Sequence, residues 1–543
     1  MISIANEYDY VVIGAGSSGC VLAERLSSDG KSTVLLIEAG GDNETELVNM
    51  PRAFMKMFGN PTHFWHFPVT DQEGRTAGEV WPYGRGLGGS SSTNGTWYLR
   101  GMPVDFDGWA ADGRDEWRWS EIERCYREME DYRADDADPS RGRGGPLQVT
   151  QLPYRSPSIA ATITAGVEMG LPRLADVNTP GTTGIGYTQA TVTRRGRRAS
   201  SYQAFLKPAM GRQNLSVMTD TLVERIDIHE RRARAVIIRN ADGERTITVR
   251  KEVVLSAGAL QSPRLLQLSG IGPADVLAKA GVPLIHELSQ VGRNLADHTM
   301  FAMSWRLHND PGVNKEFAGW RMMAHVARYY LTRKGLMAYT SPEVTALLAL
   351  ESSRDWPDVQ FGVGPFSMRS SAEIKADPGR GALEDKPGIS INAISLRPKS
   401  RGTVAILSAG ATDPLKLDAN WWSDPADRPF MIKMVRLARE YMRQPALAKF
   451  VGEEVSPGAE FETDEQIGKV LEWMASPGVH ATGTCRMGTP ETGVVDGRLR
   501  VHGIDGLRVV DCSVMPLTPA ANTNGPAMVV GWRAAELILQ DRG

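Results

Sequence analysis

Cysteine is scarce in this chain: Cys20, Cys125, Cys485 and Cys512 are the four in 543 residues. They lie far apart with no C-x-x-C pair. That argues against a disulfide framework and fits a reducing compartment. Histidine is nearly as rare, with nine. Charge of one sign is missing too: 61 Lys and Arg stand against 64 Asp and Glu, a net of -3. Such a balance gives no bulk electrostatic footprint for nucleic acid or for an anionic membrane. No apolar run approaches the roughly 18 residues that span a bilayer. The start, "MISIANEYDYVVIGAG", lacks the basic and apolar regions of a secretory signal. Internal repeats and low-complexity tracts are absent. These absences lead us to expect a soluble cytoplasmic protein with no nucleic-acid partner and no transmembrane segment.

What is present is an ordinary globular composition, 41% apolar and 23% charged, on a chain long enough for several folding units. "DYVVIG" (9–14) reads as a buried strand and "AGSSGCVLAERLSSDG" as a turn and helix. "STVLLIEAG" (32–40) reads as a second strand. Strand, helix, strand in about 30 residues is a βαβ unit with a parallel sheet. Gly14, Gly16 and Gly19 form G-x-G-x-x-G between the first strand and the helix. That spacing serves a tight turn, backbone approach to a pyrophosphate, and close helix–strand packing. Glu38 ends the second strand, where a carboxylate accepts from a ribose hydroxyl. Further strands of the same buried type read near residues 255 and 508, so the nucleotide domain is expected to be assembled from distant pieces. Residues 41–110 read as long loops with small helices, 116–132 as a helix, and 215–239 as paired strands turning near Arg231. "GPAMVVGWRAAELILQ" (525–540) reads as a closing helix.

A second glycine-rich stretch, "YGRGLGGSSSTNGTWYLRG" (83–101), cannot build a core. It suits a loop pressing backbone N–H groups against a flat polar ligand, anchored by the flanking aromatics. With "SAGALQSPRLLQLSGIGP" (256–273), "VGRNLADH" (291–298), "HATGTCRMG" and "NTNGPAM" in that order, the chain resembles the glucose–methanol–choline oxidoreductases, in particular their choline-dehydrogenase-like, alcohol-oxidising branch. The resemblance implies an α/β (α+β) fold: a Rossmann-like FAD-binding domain with an inserted substrate domain on an antiparallel sheet. The expected FAD-domain pieces are 1–155, 214–305 and 471–543, the last carrying the catalytic pair; the substrate pieces are 156–213 and 306–470. Gly14, Gly16 and Gly19 would then hold the pyrophosphate, Glu38 the ribose, and Val223 the adenine. Gly88, Gly89, Ser90, Ser91, Asn94 and Gly95 would follow the cofactor toward its ring, near Ala257 and Gly258. Asp511, Asn522, Thr523 and Asn524 would close the other end. Some relatives bind FAD covalently through a histidine just before the glycine-loop asparagine, here Asn94. Here Thr93 stands there, so FAD is expected to be non-covalent.

His480 has four readings from the residues alone. A metal site lacks further ligands near Cys485, and no metal is expected. A Cys–His nucleophile pair has nothing else pointing to acyl transfer. A lone histidine is most often structural. The resemblance instead places His480 facing flavin and substrate alcohol as general base, with Asn522 orienting the substrate oxygen, since an amide cannot act as a base. Cys485 then reads as packing. His63 and His66 read as packing among aromatics and His298 as structural support. The arginines of "TRRGRRASSY" (193–202) read as a solvated loop, and "GWRMMAHVARYY" (319–330) as a helix that could cover the site. The expected reaction is oxidation of a primary alcohol to the aldehyde, with O2 or another redox acceptor taking the electrons. A flavin-containing cyanohydrin lyase and a non-catalytic flavin scaffold are the alternatives. Selection of the alcohol is expected from 301–470 and the loops around 50–70.

Overall fold

In the computed structural model, described here for all residues except 1–4, 74, 76, 136, 351–355, 370–382 and 542–543, two large sheets organise the chain. Part of the stretch expected to select substrate therefore lies outside the described residues. The first sheet has seven strands. Its spatial order is Leu222–His229, Arg232–Asn240, Gly243–Leu255, Glu7–Ile13, Val34–Ile37, Leu215–Met218, with Leu507–Val509 beside Gly243–Leu255. Glu7–Ile13 pairs in parallel with both Val34–Ile37 and Gly243–Leu255. Strands such as "VLLI", buried at every residue, need cover on both faces. The helices Ser17–Ser27 and Asn524–Gln540 supply part of it. They touch where a Cβ on Gly531 would come within 2.7 Å of the Ser18 carbonyl, and Ser18 donates its hydroxyl to the Ala527 carbonyl.

The second sheet is antiparallel: Val451–Ser456, Thr299–Leu307, Gly388–Ser395, Val359–Gly364, Val344–Leu348, Gly184–Tyr187, with Ser476–Pro477 added beside Thr299–Leu307. Its side chains sort by parity, as the two-residue period of a strand requires. Ile389, Ile391 and Ala393, with Phe301, Met303, Trp305, Val359 and Phe361, pack under the helices Pro157–Glu168, Asp427–Met442 and Asp464–Met474. The alternate residues Met300, Asn392 and Ile394 line a cavity between the sheets. This arrangement is the FAD-domain-plus-substrate-domain architecture expected from sequence. Thr299–Leu307, which runs across residue 305, belongs wholly to the second sheet.

Some local expectations changed. Within 41–110, Phe64–Pro68 and Val80–Gly84 pair as a hairpin that the sequence reading had left as loop. The strand read near residue 508 spans only Leu507–Val509, because Asp511 accepts the Ser513 N–H and starts a 3-10 turn. No described helix is long and apolar enough to cross a membrane.

Candidate active site

One cavity of about 450 Å³ lies between the sheets. Three helices begin on its wall, at Gly16–Ser17, Ala257–Gly258 and Thr523–Asn524; in none does the N-cap residue's own side chain cap the turn, and at the second the Gly258 N–H goes to Asp511. Uncapped helix starts present free N–H groups and partial positive charge, which favour a phosphate-bearing ligand. The glycines divide into two kinds. A Cβ on Gly14 (φ +98°) would sit 2.6 Å from the Ser256 carbonyl, and one on Gly19 would sit 1.9 Å from the Gly14 carbonyl. Those two are glycine because the fold demands it. A Cβ on Gly16 would meet only the Ser256 carbonyl at 3.9 Å, and one on Gly258 would meet nothing within 4 Å. Both line the cavity; the bareness of Gly16 serves whatever fills it, whereas Gly258, at φ +85°, is glycine for its backbone as well. The amide nitrogen of Asn524 is buried without a partner, while its oxygen accepts from Ser17 at 2.8 Å. A long nucleotide cofactor such as FAD fits this donor set.

Glu38 sits at one end of the cavity with Val223. Its carboxylate accepts from the N–H groups of Ala15 (2.9 Å), Gly40 (2.9 Å) and Gly86 (3.0 Å). Burial raises its pKa against those three bonds. One of its four lone-pair sites is left for a ligand hydroxyl. Gly89, Ser90, Asn94 and Gly95 face the cavity, as do Thr93, Ala257, Asp511, Asn522 and Thr523. Gly19, Gly88 and Ser91 lie behind the wall. Ser91 donates to the Gly88 carbonyl at 2.6 Å and meets Ser201 at 2.9 Å, so it braces the loop instead of facing the cavity. Asp511 accepts from the Gly258 N–H at 2.9 Å and from the Ser262 hydroxyl at 2.5 Å, both in the first turns of the helix Gly258–Leu268.

Beyond the glycine loop the cavity reaches His480. A hydrogen-bonded chain runs through it. Gln360 donates to the Asn522 amide oxygen at 3.1 Å, Asn522 Nδ2 meets His480 Nε2 at 3.3 Å, and His480 Nδ1 meets His298 Nδ1 at 3.0 Å. With the Asn522 oxygen occupied by Gln360, its NH2 faces the imidazole, so Nε2 is bare and the ring proton sits on Nδ1. Burial lowers the His480 pKa to about 4 and lowers that of His298 well below the usual range. Both rings are therefore neutral near pH 7. The bond His480 makes through its backbone is equally specific: its N–H donates to Asp297 at 2.8 Å. Burial pushes Asp297 up to about 8 against the backbone N–H groups of His480, His298 and Val479. The Tyr83 hydroxyl accepts the neighbouring Ala481 N–H at 3.1 Å.

His480 and Asn522, 42 residues apart, are thus brought together with the expected cofactor loop. Cys485 is fully buried in the first core. His63 is buried against Asn43 (2.8 Å). Sequence reasoning missed Gln360, Asp297 and Tyr83, and assigned His298 too little: it touches the catalytic candidate directly. It also misread Arg198. That side chain is not solvated but buried, donating to the carbonyls of Val48 (3.0 Å), Ser91 (3.3 Å) and Asn94 (2.7 Å) and to the Asn94 side chain (2.8 Å). With no carboxylate beside it, burial lowers its pKa to about 9.

Known proteins share this arrangement. Family models described as GMC oxidoreductase match residues 8–300 and 398–531. A protein named oxygen-dependent choline dehydrogenase from Vibrio vulnificus is 37% identical over 538 residues, covering 98% of this chain and 94% of its own. One of the same name from Paraburkholderia xenovorans is 35% identical over 543 residues, with the same coverage. Among solved structures, pyridoxine 4-oxidase from "Mesorbium loti" superimposes with a TM-score of 0.86 at 29% identity, covering 97% of this chain and 98% of that one. Formate oxidase reaches 0.91 at 23% identity over 99% of both chains, a likeness of fold alone.

Proposed function

Because the chain belongs to the GMC oxidoreductase family, and is thereby an FAD-dependent oxidoreductase acting on CH–OH groups, we propose that it oxidises an uncharged primary alcohol to the aldehyde. His480 takes the hydroxyl proton and Asn522 holds the oxygen. FAD, when bound, supplies the hydride acceptor for the carbon-bound hydrogen. Gly16, Gly258 and the three helix starts would hold its phosphates, Glu38 its ribose, and Asn94 and Asn524 its other end. Thr93 on the cavity wall offers no imidazole for a covalent link, which supports non-covalent binding.

The observation that carries the reading is the Gln360–Asn522–His480–His298 chain. It leaves the Nε2 lone pair and an amide N–H 3.3 Å apart on the cavity wall. A substrate hydroxyl oxygen placed as the third vertex of that triangle, about 2.8 Å from each, donates to the first and accepts from the second. Proton and hydride then leave the same CH–OH group in opposite directions. The imidazole must be unprotonated to act, and burial keeps it so.

The wall near His480 bears on the substrate. Among the described lining residues the carboxylates are Glu38 and Asp511, and both are engaged by backbone N–H groups. The cavity that His480 lines is also lined by Tyr83, Trp97, Met300, Ser341, Asn392 and Ile394, and by the aromatics Phe54, Phe58, Phe64 and Trp65. The lack of a free carboxylate in this lining is what favours a neutral alcohol; the aromatic rings by themselves would also suit the quaternary ammonium of choline. Gly95, whose absent Cβ would meet only Phe54 at 3.9 Å, supports access for O2 as acceptor.

Anaerobic mixing of the holoenzyme with an alcohol panel tests this. Choline and 3,3-dimethylbutan-1-ol differ only by nitrogen against carbon, and the neutral compound should bleach the flavin faster. His480→Ala should leave FAD bound and slow bleaching by about 10²–10⁴-fold. Failure of every alcohol to bleach the flavin sinks the oxidoreductase reading; faster bleaching by choline sinks the neutral-substrate part alone. Flavin remaining on the acid-precipitated chain would overturn non-covalent binding.

A further inference from the structure

The helix Gly319–Thr332 carries its apolar stripe on the wrong side for a core. Residues 320, 323, 324, 327 and 331 follow the i, i+3, i+4, i+7, i+11 spacing of one helical face, which ordinarily turns inward. Here it faces water: Trp320 is 76% exposed, Met323 62% and Leu331 85%. The opposite face is anchored, with Tyr329 and Val326 packed on Met50, Ala53 and Met337. The chain continues from Ala53 into Phe54 and Phe58, which line the cavity, and Met55 and Phe58 are themselves about half exposed. The stripe and the aromatic rim of the cavity therefore lie on adjoining pieces of one surface.

Charge distinguishes what this surface meets. Residues 317–342 contain no Asp or Glu but carry Arg321, Arg328, Arg333 and Lys334; residues 47–70 likewise contain no acid but carry Arg52 and Lys56. Arg321 and Arg333 pair with Glu316 and Glu46 at the margins, and Arg52, largely buried, pairs with Glu343, so the cations offered to solvent are Lys56, Arg328 and Lys334. A chain with a net charge of -3 thus concentrates cations and exposed apolar groups on one face. Two copies meeting through it would oppose like charges. A helix with Trp, Met and Leu outward and arginines beside them matches the headgroup–acyl boundary of an anionic bilayer.

We propose that this face docks the protein peripherally on an anionic lipid surface, with the stripe of Gly319–Thr332 in the boundary and the cavity rim at Phe54 and Phe58 turned toward the lipid. The test is flotation of the FAD-loaded full chain with phosphatidylcholine vesicles, with and without phosphatidylglycerol. Binding is expected only to the anionic vesicles and should weaken with salt. The double variant Trp320→Ser, Leu331→Ser should lose at least about tenfold in partition, since two large side chains no longer leave water. Its melting temperature and its turnover of a soluble alcohol should be unchanged. Arg328→Gln with Lys334→Gln, which leaves the stripe intact, should lose roughly fivefold per cation. Absence of binding to anionic vesicles overturns the proposal, as does equal binding by the stripe variant. A dimer seen by light scattering that the stripe variant converts to monomer also overturns it, and assigns the face to a second copy.

Discussion

Replacing His298 by leucine removes the acceptor that faces the Nδ1–H of His480 at 3.0 Å while keeping an apolar side chain in a fully buried position. In the resting site this bond joins two neutral rings and does little more than fix the tautomer. Its value changes once Nε2 has taken the substrate proton. The ring is then an imidazolium, and Nδ1–H···Nδ1 becomes a charge-assisted bond in surroundings that burial has made unfavourable to charge. Hydrogen bonds to charged groups contribute about 1.5–3 kcal/mol net, which at 1.36 kcal/mol per decade is roughly a 10–150-fold slowing of the chemical step. Because the gain arises after substrate is bound, kcat and kcat/KM should fall together with KM little changed. The assay is anaerobic single-turnover reduction of the flavin at saturating alcohol. His298→Asn supplies the control, since its amide oxygen takes about the position of Nδ1 and can accept the same proton; it should recover most of the lost rate. A leucine variant reduced within about threefold of wild type, well under the worth of such a bond, would refute the reasoning. So would an asparagine variant as slow as leucine, which would reduce His298 to packing.

Two further groups, His480 and Arg198, carry testable outcomes. His480 must be unprotonated to work, and burial lowers its pKa from the usual 6.5 to about 4, so the acid limb of kcat/KM should fall near pH 4–5; a limb near 6.5 would count against His480 as the base. The same shift has a stability sign: between pH 6.5 and 4 the unfolded chain binds a proton that native His480 refuses, so melting temperature should drop as pH falls through that window. Arg198→Met strips donors from the buried carbonyls of Val48, Ser91 and Asn94, at about 1–3 kcal/mol for each acceptor left dry. The variant should melt lower and lose FAD on gel filtration, and Arg198→Lys should rescue little, because one ammonium cannot span three carbonyls. Wild-type FAD retention in Arg198→Met would refute its role in holding the loop.

The parts of the site that were legible in sequence are those whose chemistry is local. Gly14, Gly16, Gly19 and Glu38 sit within one βαβ unit, where spacing alone dictates geometry. His480 and Asn522 each lie inside a short motif that a family resemblance can carry. What the sequence hid are contacts made by folding distant segments together. Gln360 reaches Asn522 from 162 residues away, and His298 reaches His480 from 182. Nothing local marks Gln360 as special: it is the inward-alternate residue of an otherwise apolar strand, and only the sheet's parity turns it to the cavity instead of to Phe361's side. Arg198 failed for a related reason. Four arginines in six residues look like a solvated run, yet just one of them needs to find a cluster of buried carbonyls to be structural. The -3 net charge likewise averaged away the acid-free face around Trp320.

Backbone strain shows how firmly the two walls of the cavity are set. Among the described residues with positive φ, the β-branched ones are Thr96 at +61° and Val479 at +58°, and both line the cavity. A β-branched residue in the left-handed region costs on the order of 1–3 kcal/mol and persists only where its surroundings over-determine it. Thr96 is held by its N–H on the Asn94 side chain (2.9 Å) and its hydroxyl on Thr340 (2.8 Å). Val479 is held by the Asp297 carboxyl, which receives the next N–H, that of His480, and by Gly478, whose N–H donates to the His298 carbonyl at 2.7 Å. A Cβ on Gly478 would fall 2.9 Å from His480 Nδ1, so the turn can close on His298 only with glycine there. The bend at Val479 is thus what aims the imidazole along the His298–Asn522 line, and the bend at Thr96 fixes the loop that carries Asn94 opposite it. Each strained residue sits one or two positions from a side chain whose direction the chemistry requires. A rigid left-handed turn with a branched side chain has fewer alternatives than one with glycine, so the strain is exchanged for an imidazole with a single orientation.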